Sequence, residues 1–278
     1  MLDLSSRFSR LVFGAVAIAI GLFLFFPIYW LAISAFKPDA ELYRIIPTLY
    51  PHDPVLTHFA TAFGRGNLMQ QLKNSLLVSC SAAAMNTMLA IYAGYSFAKF
   101  RYRGRRLVMV FLLSAQVFPF GLLLISLYPV ITAMGLIDSL PGLTLSYIVF
   151  ALPVSTYMFY SYFSQVPSEI IEAARADGAG ELRIFHTIVL PVSIPAVVTV
   201  FLYGFMWSWN DLLYAMTLII SEGKRTVGPG MLLAYLNEVN SDWGGAMAAS
   251  LVASAPIIVA FAFLQRWFIQ GVTAGSVK

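Results

Sequence analysis

The sequence predicts an all-α integral membrane protein of six transmembrane helices, with both termini on the inner side (N-in, C-in). Three observations carry this reading. Only 11% of the 278 residues are charged, against about 25% in a soluble domain. Those charges gather between long apolar runs, six of which reach the roughly 20 residues that a spanning helix needs. Lys and Arg are also shared unevenly among the connecting segments, which sets direction. A very apolar soluble core would need a charged face on each helix, and the runs lack one.

The elements follow in order. Arg7 and Arg10 precede the first run, 11–36. A cleaved signal peptide has an apolar core of only about 7–15 residues. This run is longer and holds Phe25, Phe26, Pro27, Tyr29 and Trp30 in its second half, so a retained first helix is expected. Segment 37–74 is an outer loop, where Pro47, Pro51 and Pro54 favour short or irregular structure. The second run, 75–98, contains Cys80 among Ser79, Ser81 and Ala82. A single cysteine makes no intrachain disulfide, and a small packing residue is expected there. Runs 107–127 and 143–163 give spans three and four. Run 191–220 gives the fifth and is long enough to tilt; run 246–269 gives the sixth. Segment 221–245 is a second outer loop and 270–278 a cytoplasmic tail. With the N-terminus inside, eleven Lys and Arg fall on the inner side and six on the outer. The run "KFRYRGRR" at 99–106 dominates that difference. It is read as a topology determinant, not as a nucleic-acid patch, and 1–278 as a single transmembrane domain.

Inner segment 165–190 is the most polar stretch of the chain. Pro167 suits the start of a helix, and Glu169 in its first turn complements the helix dipole. Asp177-Gly178 reads as a turn, since glycine accepts a left-handed backbone. A second helix is expected over 181–190, with Leu182, Phe185, Ile188 and Val189 at helical spacing as its apolar face. Glu169, Glu172, Asp177 and Glu181 outnumber Arg175 and Arg183. An acidic hairpin is disfavoured beside an anionic leaflet. Its small residues Ala173, Ala174, Gly178 and Ala179 let another backbone come close, so a protein partner is expected.

The string "EAARADGAGELRIFHTIVLP" resembles the EAA motif of the permease subunits of ATP-binding-cassette importers. Glu172, Ala173, Ala174, Asp177, Gly178, Ala179, Phe185 and Pro191 match with spacing intact. The strings "NSLLVS" from Asn74, "MGLIDSLPGL" from Met134, "WNDLLYA" from Trp209 and "QGVTAGSVK" from Gln270 extend the likeness. Together they resemble the carbohydrate-uptake branch, specifically subunits similar to the smaller permease of the maltose importer. Members usually carry a further Gly after Val-Lys, where this sequence has Lys278 last. The resemblance implies a type I importer transmembrane domain (the MetI-like architecture) in a bacterial inner membrane. It also implies a distinct homologous permease, two ATPase subunits, a periplasmic binding protein and a sugar or oligosaccharide as partners. By that carry-over the hairpin is a coupling helix docked in an ATPase cleft. Glu172 would pair with basic groups there, Gly178 would allow the turn, and Phe185 would brace the second helix. The tail 270–278 would reach between the ATPases.

No enzyme chemistry is expected in the chain. The nearest approach to Gly-x-x-x-x-Gly-Lys-Ser/Thr is "LIISEGKRT", where Leu218 replaces the first Gly and Arg225 follows the Lys. ATP and Mg2+ would therefore be bound by the ATPase subunits, with no cofactor in this chain. His52, His58 and His186 lack metal-ligand spacing.

Polar groups inside spans face the protein interior or a wet cavity. The candidate substrate pathway is Gln116, Tyr203, Trp209, Asn210 and Asp211, since aromatic faces with amide or carboxylate edges suit sugar rings. Trp207 belongs either with this set or with an interfacial aromatic belt. Asn86 and Gln116 are expected to bond between helices before they meet substrate. In the maltose importer the partner permease carries the sugar site. Asn237, Glu238, Asn240 and Asp242 in the second outer loop are candidate contacts for the binding protein. The rival is a stand-alone ion-coupled secondary transporter, which would need ion ligands in broken spans; the sequence has no clear set.

Overall fold

The computed structural model describes residues 7–64, 67–236 and 241–274, and these are helical with irregular connections. In chain order the helices are α1 (Arg7–Phe36), α2 (Asp39–Leu42), α3 (Thr57–Gly64), α4 (Leu68–Lys99) and α5 (Arg105–Ser114). Then come α6 (Phe120–Ala133), α7 (Leu140–Gln165), α8 (Ser168–Ala176), α9 (Glu181–Ile184) and α10 (Leu190–Val192). The last are α11 (Ile194–Asn210), α12 (Leu213–Leu218), α13 (Val227–Tyr235) and α14 (Trp243–Ala274).

Among them α1, α4, α7 and α14 are long and apolar enough to cross a membrane unbroken. The third and fifth spans are broken helices, giving six when each bent pair counts once. In the third, the chain turns by 106° between α5 and α6. Pro119 ends the helical backbone here: Phe118 before it is extended, with ψ 137°, because the proline ring crowds a preceding helical residue. The 78° turn near Ser193, between Pro191 and Pro195, joins segment Glu181–Val192, which includes the second limb of the polar hairpin, to α11. The fifth span was expected to run to 220, but α11 ends at Asn210. Asp211 there is extended, with φ −70° and ψ 137°, and α12 is a separate short helix.

The chain forms two compact units: Met1–Leu68 with Met231–Ala255, and Met69–Gly230 with Pro256–Lys278. In the first, the proline-rich segment after α1 is ordered by buried charge. Lys37 is 2% exposed; its ammonium lies 4.4 Å from the Trp30 ring centroid and donates to Thr48 O at 2.6 Å. Glu41, also buried, accepts from the Thr48 hydroxyl and from His52 N at 3.1 Å. The Thr48 hydroxyl and then the His52 ring, 2.9 Å away, hold its carboxyl at a pKa of about 2, so Glu41 stays ionised through the physiological range.

In the second unit α4 and α7 pass through two cores. One gathers Val78, Leu124, Ile131, Leu143, Tyr147 and Tyr214. The other gathers Ile91, Tyr95, Phe159, Phe163, Ile184 and Phe185. Gly94 allows the close approach of α4 to α7: a Cβ there would meet Phe159 Cβ and lie 2.9 Å from Tyr160 N. Backbone cannot yield as a side-chain tip can, so Gly94→Ala is expected to cost about 3 kcal/mol. Thermal unfolding of the purified chain measures this, with Gly14→Ala, which meets open space, as the neutral control.

Polar groups link the helices as anticipated. Asn86 donates to Ser155 Oγ at 2.7 Å, and Gln116 to Phe150 O at 3.0 Å. Asp138, in the string "MGLIDSLPGL", ties the α6–α7 turn to the segment after α12. It accepts from Ile220 N (2.9 Å), Ser221 N (2.8 Å) and Lys224 Nζ (3.0 Å). The Ser221 hydroxyl, which donates to its Oδ2 at 2.6 Å, and those bonds hold its carboxyl far below the usual carboxylate range.

Candidate coupling hairpin and pathway cavity

The hairpin 168–189 has an inner face fixed to the helices and an outer face left bare. α8 buries Ile171 and Ala174. Its last carbonyls are satisfied by the turn: Asp177 N donates to Ala173 O, Gly178 N to Arg175 O and Ala179 N to Ala174 O, each at 3.0 Å. This closure needs a left-handed residue, and Gly178 supplies it with φ +82°. Arg175 Nε and Glu181 Oε1, 2.5 Å apart, clasp the turn, and this bond raises the guanidinium's pKa. The expected second helix is interrupted after α9 by a π-type turn over Phe185–Val189, a feature that often marks function.

Phe185 is 2% exposed. Its ring centroid lies 4.9 Å from that of Tyr95 and 5.1 Å from that of Tyr92. Polar ties add to this. Lys99 Nζ donates to Val166 O at 2.6 Å, Tyr162 Oη to Val192 O at 2.8 Å, and Tyr92 Oη meets His186 Nε2 at 3.2 Å. The hairpin is thus packed and hydrogen-bonded onto α4 and α7. Of the motif residues, Ala174, Ala179 and Phe185 pack inward, while Glu172, Ala173, Asp177 and Gly178 lie on the surface. Leu182 departs from its expected place: it is 73% exposed, because the apolar face of α9 turns on Ile184 and Phe185. With Ile170 at 49% it leaves apolar surface on the acidic outer side. Sequence reading missed the bracing rings Tyr92, Tyr95 and Phe163, which lie in other spans and carry no local signal.

The second site is a cavity of about 850 Å³ lined by Phe120, Phe150, Tyr203, Trp207, Asn210 and Asp211, among others. Three of the five expected pathway residues, Tyr203, Asn210 and Asp211, meet here. Gln116 lines a neighbouring cavity of about 220 Å³ that shares Phe150. Trp209 is buried against Phe205, 5.5 Å between centroids, and does not line the cavity. Trp207 does, stacked on Phe150 at 4.2 Å with its edge toward Phe120 at 5.0 Å. Helical spacing accounts for this: 203, 207 and 210 share a face, and 209 points away.

Asp211 has a further role. Its Oδ2 accepts from Tyr147 Oη at 2.8 Å and from Ala215 N at 3.0 Å. Its Oδ1 accepts from Tyr214 N at 3.4 Å. The carboxylate is therefore the cap that starts α12, and Tyr147 is a partner the sequence did not disclose.

Among the binding-protein candidates, Asp242 caps α14, with Gly245 N donating to its Oδ1 at 2.7 Å. Asn237, Glu238 and Asn240 lie outside the described residues, as does 275–278 of the tail.

Residues 86–274 match the family described as "Binding-protein-dependent transport system inner membrane component". The chain belongs to this family. As an inner-membrane component of a transport system, it is a permease and not a stand-alone transporter. It is 30% identical over 274 residues to the diacetylchitobiose uptake system permease protein DasC of Streptomyces coelicolor, covering 98% of this chain and 99% of that one. It is 33% identical to the inner membrane ABC transporter permease protein YcjP of Escherichia coli K12, over 91% of each. A bacterial ABC transporter involved in the import of the acidic polysaccharide alginate has a chain of the same fold. Its TM-score is 0.81 at 21% identity, over 96% of this permease and 99% of that chain.

Proposed function

We propose that the permease is one of two different membrane subunits of an ATP-driven oligosaccharide importer, coupled to two ATPase subunits through the hairpin 168–189. The observation that carries this is the hairpin's division into a face locked to α4 and α7 and a bare face bearing Glu172, Ala173, Asp177 and Gly178. A docked rigid element is what transmits motion between subunits. ATP and Mg2+ belong to the ATPases, since the chain has no phosphate-binding loop. The excess of Lys and Arg on the hairpin's side of the membrane supports N-in, C-in. A sugar cargo is supported by the diacetylchitobiose relative and by the cavity, where Trp207 and Tyr203 offer ring faces and Asn210 an amide. Sugars need both an apolar platform and hydrogen-bonding edges.

The test assembles the full complex with its binding protein and screens neutral and acidic glycans for stimulation of ATPase activity. With the stimulating glycan, Trp207→Ala is expected to raise the half-maximal concentration about five-fold, the loss of one aromatic contact. Trp209→Phe, altering a ring outside the cavity, is expected to leave it unchanged. Equal effects from the two would remove the cavity from the pathway.

A further inference from the structure

We infer that the turn between α4 and α5 seats an anionic phospholipid, with its phosphate among Arg101, Arg103 and Arg106 and one acyl chain beside Met109 and Tyr160. Two cavities meet there. One, of about 630 Å³, is lined by residues 101–107. The other, of about 250 Å³, continues from Arg105 and Arg106 along Phe97, Met109, Val110 and Tyr160. An open basic hollow thus adjoins, through Arg105 and Arg106, a groove whose apolar wall is Phe97, Met109, Val110 and Tyr160, the order of a headgroup and its chain.

The charge there is uncompensated. Arg101, Arg103 and Arg106 are exposed, and among the described residues none of them forms an ion pair. Arg105 is directed elsewhere, donating to Phe100 O at 2.9 Å. The backbone adds to the field. Gly104 caps α5 at φ +85° with no side-chain acceptor, so the first-turn N–H groups and the positive helix end face the same region.

The depth is right for a lipid. Leu107 is 75% exposed and Phe111 77%, the apolar exposure that a helix end at the hydrocarbon edge requires. Tyr102, exposed on the turn, has the amphipathic character of an interfacial ring. Sidedness alone needs only positive charge and not a chamber with an apolar continuation. Basic pockets between spans at the membrane surface are where acidic headgroups bind. The inference is independent of the transport reading and needs only that the chain spans a membrane.

Native mass spectrometry on the delipidated full chain tests it, with phosphatidylglycerol, phosphatidylcholine and inorganic phosphate as probes. Phosphatidylglycerol is expected to bind at least about ten-fold more tightly than phosphatidylcholine. Replacing Arg101, Arg103 and Arg106 by Gln should erase that preference, and Arg103→Gln alone should lower it about five-fold. Met109→Trp, which fills the groove and keeps every arginine, should weaken phosphatidylglycerol several-fold and leave phosphate unaffected. Equal binding of the two lipids would overturn the inference, as would a preference that survives the arginine replacements. So would phosphate competing at the lipid's own concentration with Met109→Trp silent, which means an anion site without a chain seat. An arginine cluster that crosslinks to a protein subunit and excludes lipid would overturn it too.

Discussion

Replacing Gly178 by Pro is expected to abolish substrate-stimulated ATP hydrolysis in the assembled complex while the membrane helices stay folded. Gly178 sits at φ +82°, and proline is fixed near −65°. The substitution also removes the N–H that donates to Arg175 O, so the turn must open and displace the outer face of α8 from the position the proposed ATPase contact needs. Space is not the obstacle, since nothing lies within 4 Å of an added Cβ; the backbone conformation is. Glu172→Lys tests the same face by charge. Glu172 is exposed, so reversing it should leave the chain's stability within about 0.5 kcal/mol. Paired with basic groups on an ATPase, the reversal should lower stimulated activity at least about ten-fold, because like charges then face each other across the interface. Thermal unfolding of the purified permease separates the two effects. Unchanged stimulated activity in both variants would remove the hairpin from coupling.

The second large effect is expected at Asp211. Asp211→Ala removes one buried acceptor and strands Tyr147 Oη, Ala215 N and, at longer range, Tyr214 N. Each unmet buried donor costs about 1–3 kcal/mol, so a loss of about 3 kcal/mol or more is expected, with α12 unwinding first. Asp211→Asn keeps one oxygen and should cost about half as much. Tyr147→Phe should cost about 1 kcal/mol, and combining it with Asp211→Ala should give less than the sum, because both remove the same bond. Apparent unfolding temperatures of the four proteins decide this. Strict additivity would mean that the bond between Tyr147 and Asp211 contributes nothing. A loss of transport at full stability would instead make Asp211 a substrate contact.

How far these features could be read from sequence follows from the range of the interaction behind each. The hairpin was legible because its determinants are local: a proline start, a glycine turn and small residues at fixed spacing within about twenty positions. The number of spans was legible for the same reason, since apolar length is a local property. The breaks were only half legible. Pro119 stands in plain view, yet a proline can kink a helix or end it, and the 106° turn depends on what α6 packs against. Run 191–220 carries Asp211 as a local signal for a new helix start, but its buried partner Tyr147, 64 positions away, leaves no local trace. The choice between Trp207 and Trp209 lies in helical phase, since Trp207 shares a face of α11 with Tyr203 and Asn210. Leu182 was misplaced because apolar periodicity identifies a face, but the π-type turn after Ile184 shifts which residues complete it.

The central claim is that this permease moves oligosaccharide only when ATPase motion reaches it through the hairpin. The most direct measurement is uptake of a labelled glycan into proteoliposomes, using the stimulating glycan and its loaded binding protein. Full complexes carrying the native chain or Gly178→Pro are compared, each with ATP and, separately, with an imposed ion gradient alone. The account predicts uptake by the native complex with ATP, none with the gradient, and none by the variant under either condition. Gradient-driven uptake, or ATP-driven uptake by the variant at the native rate, would contradict it.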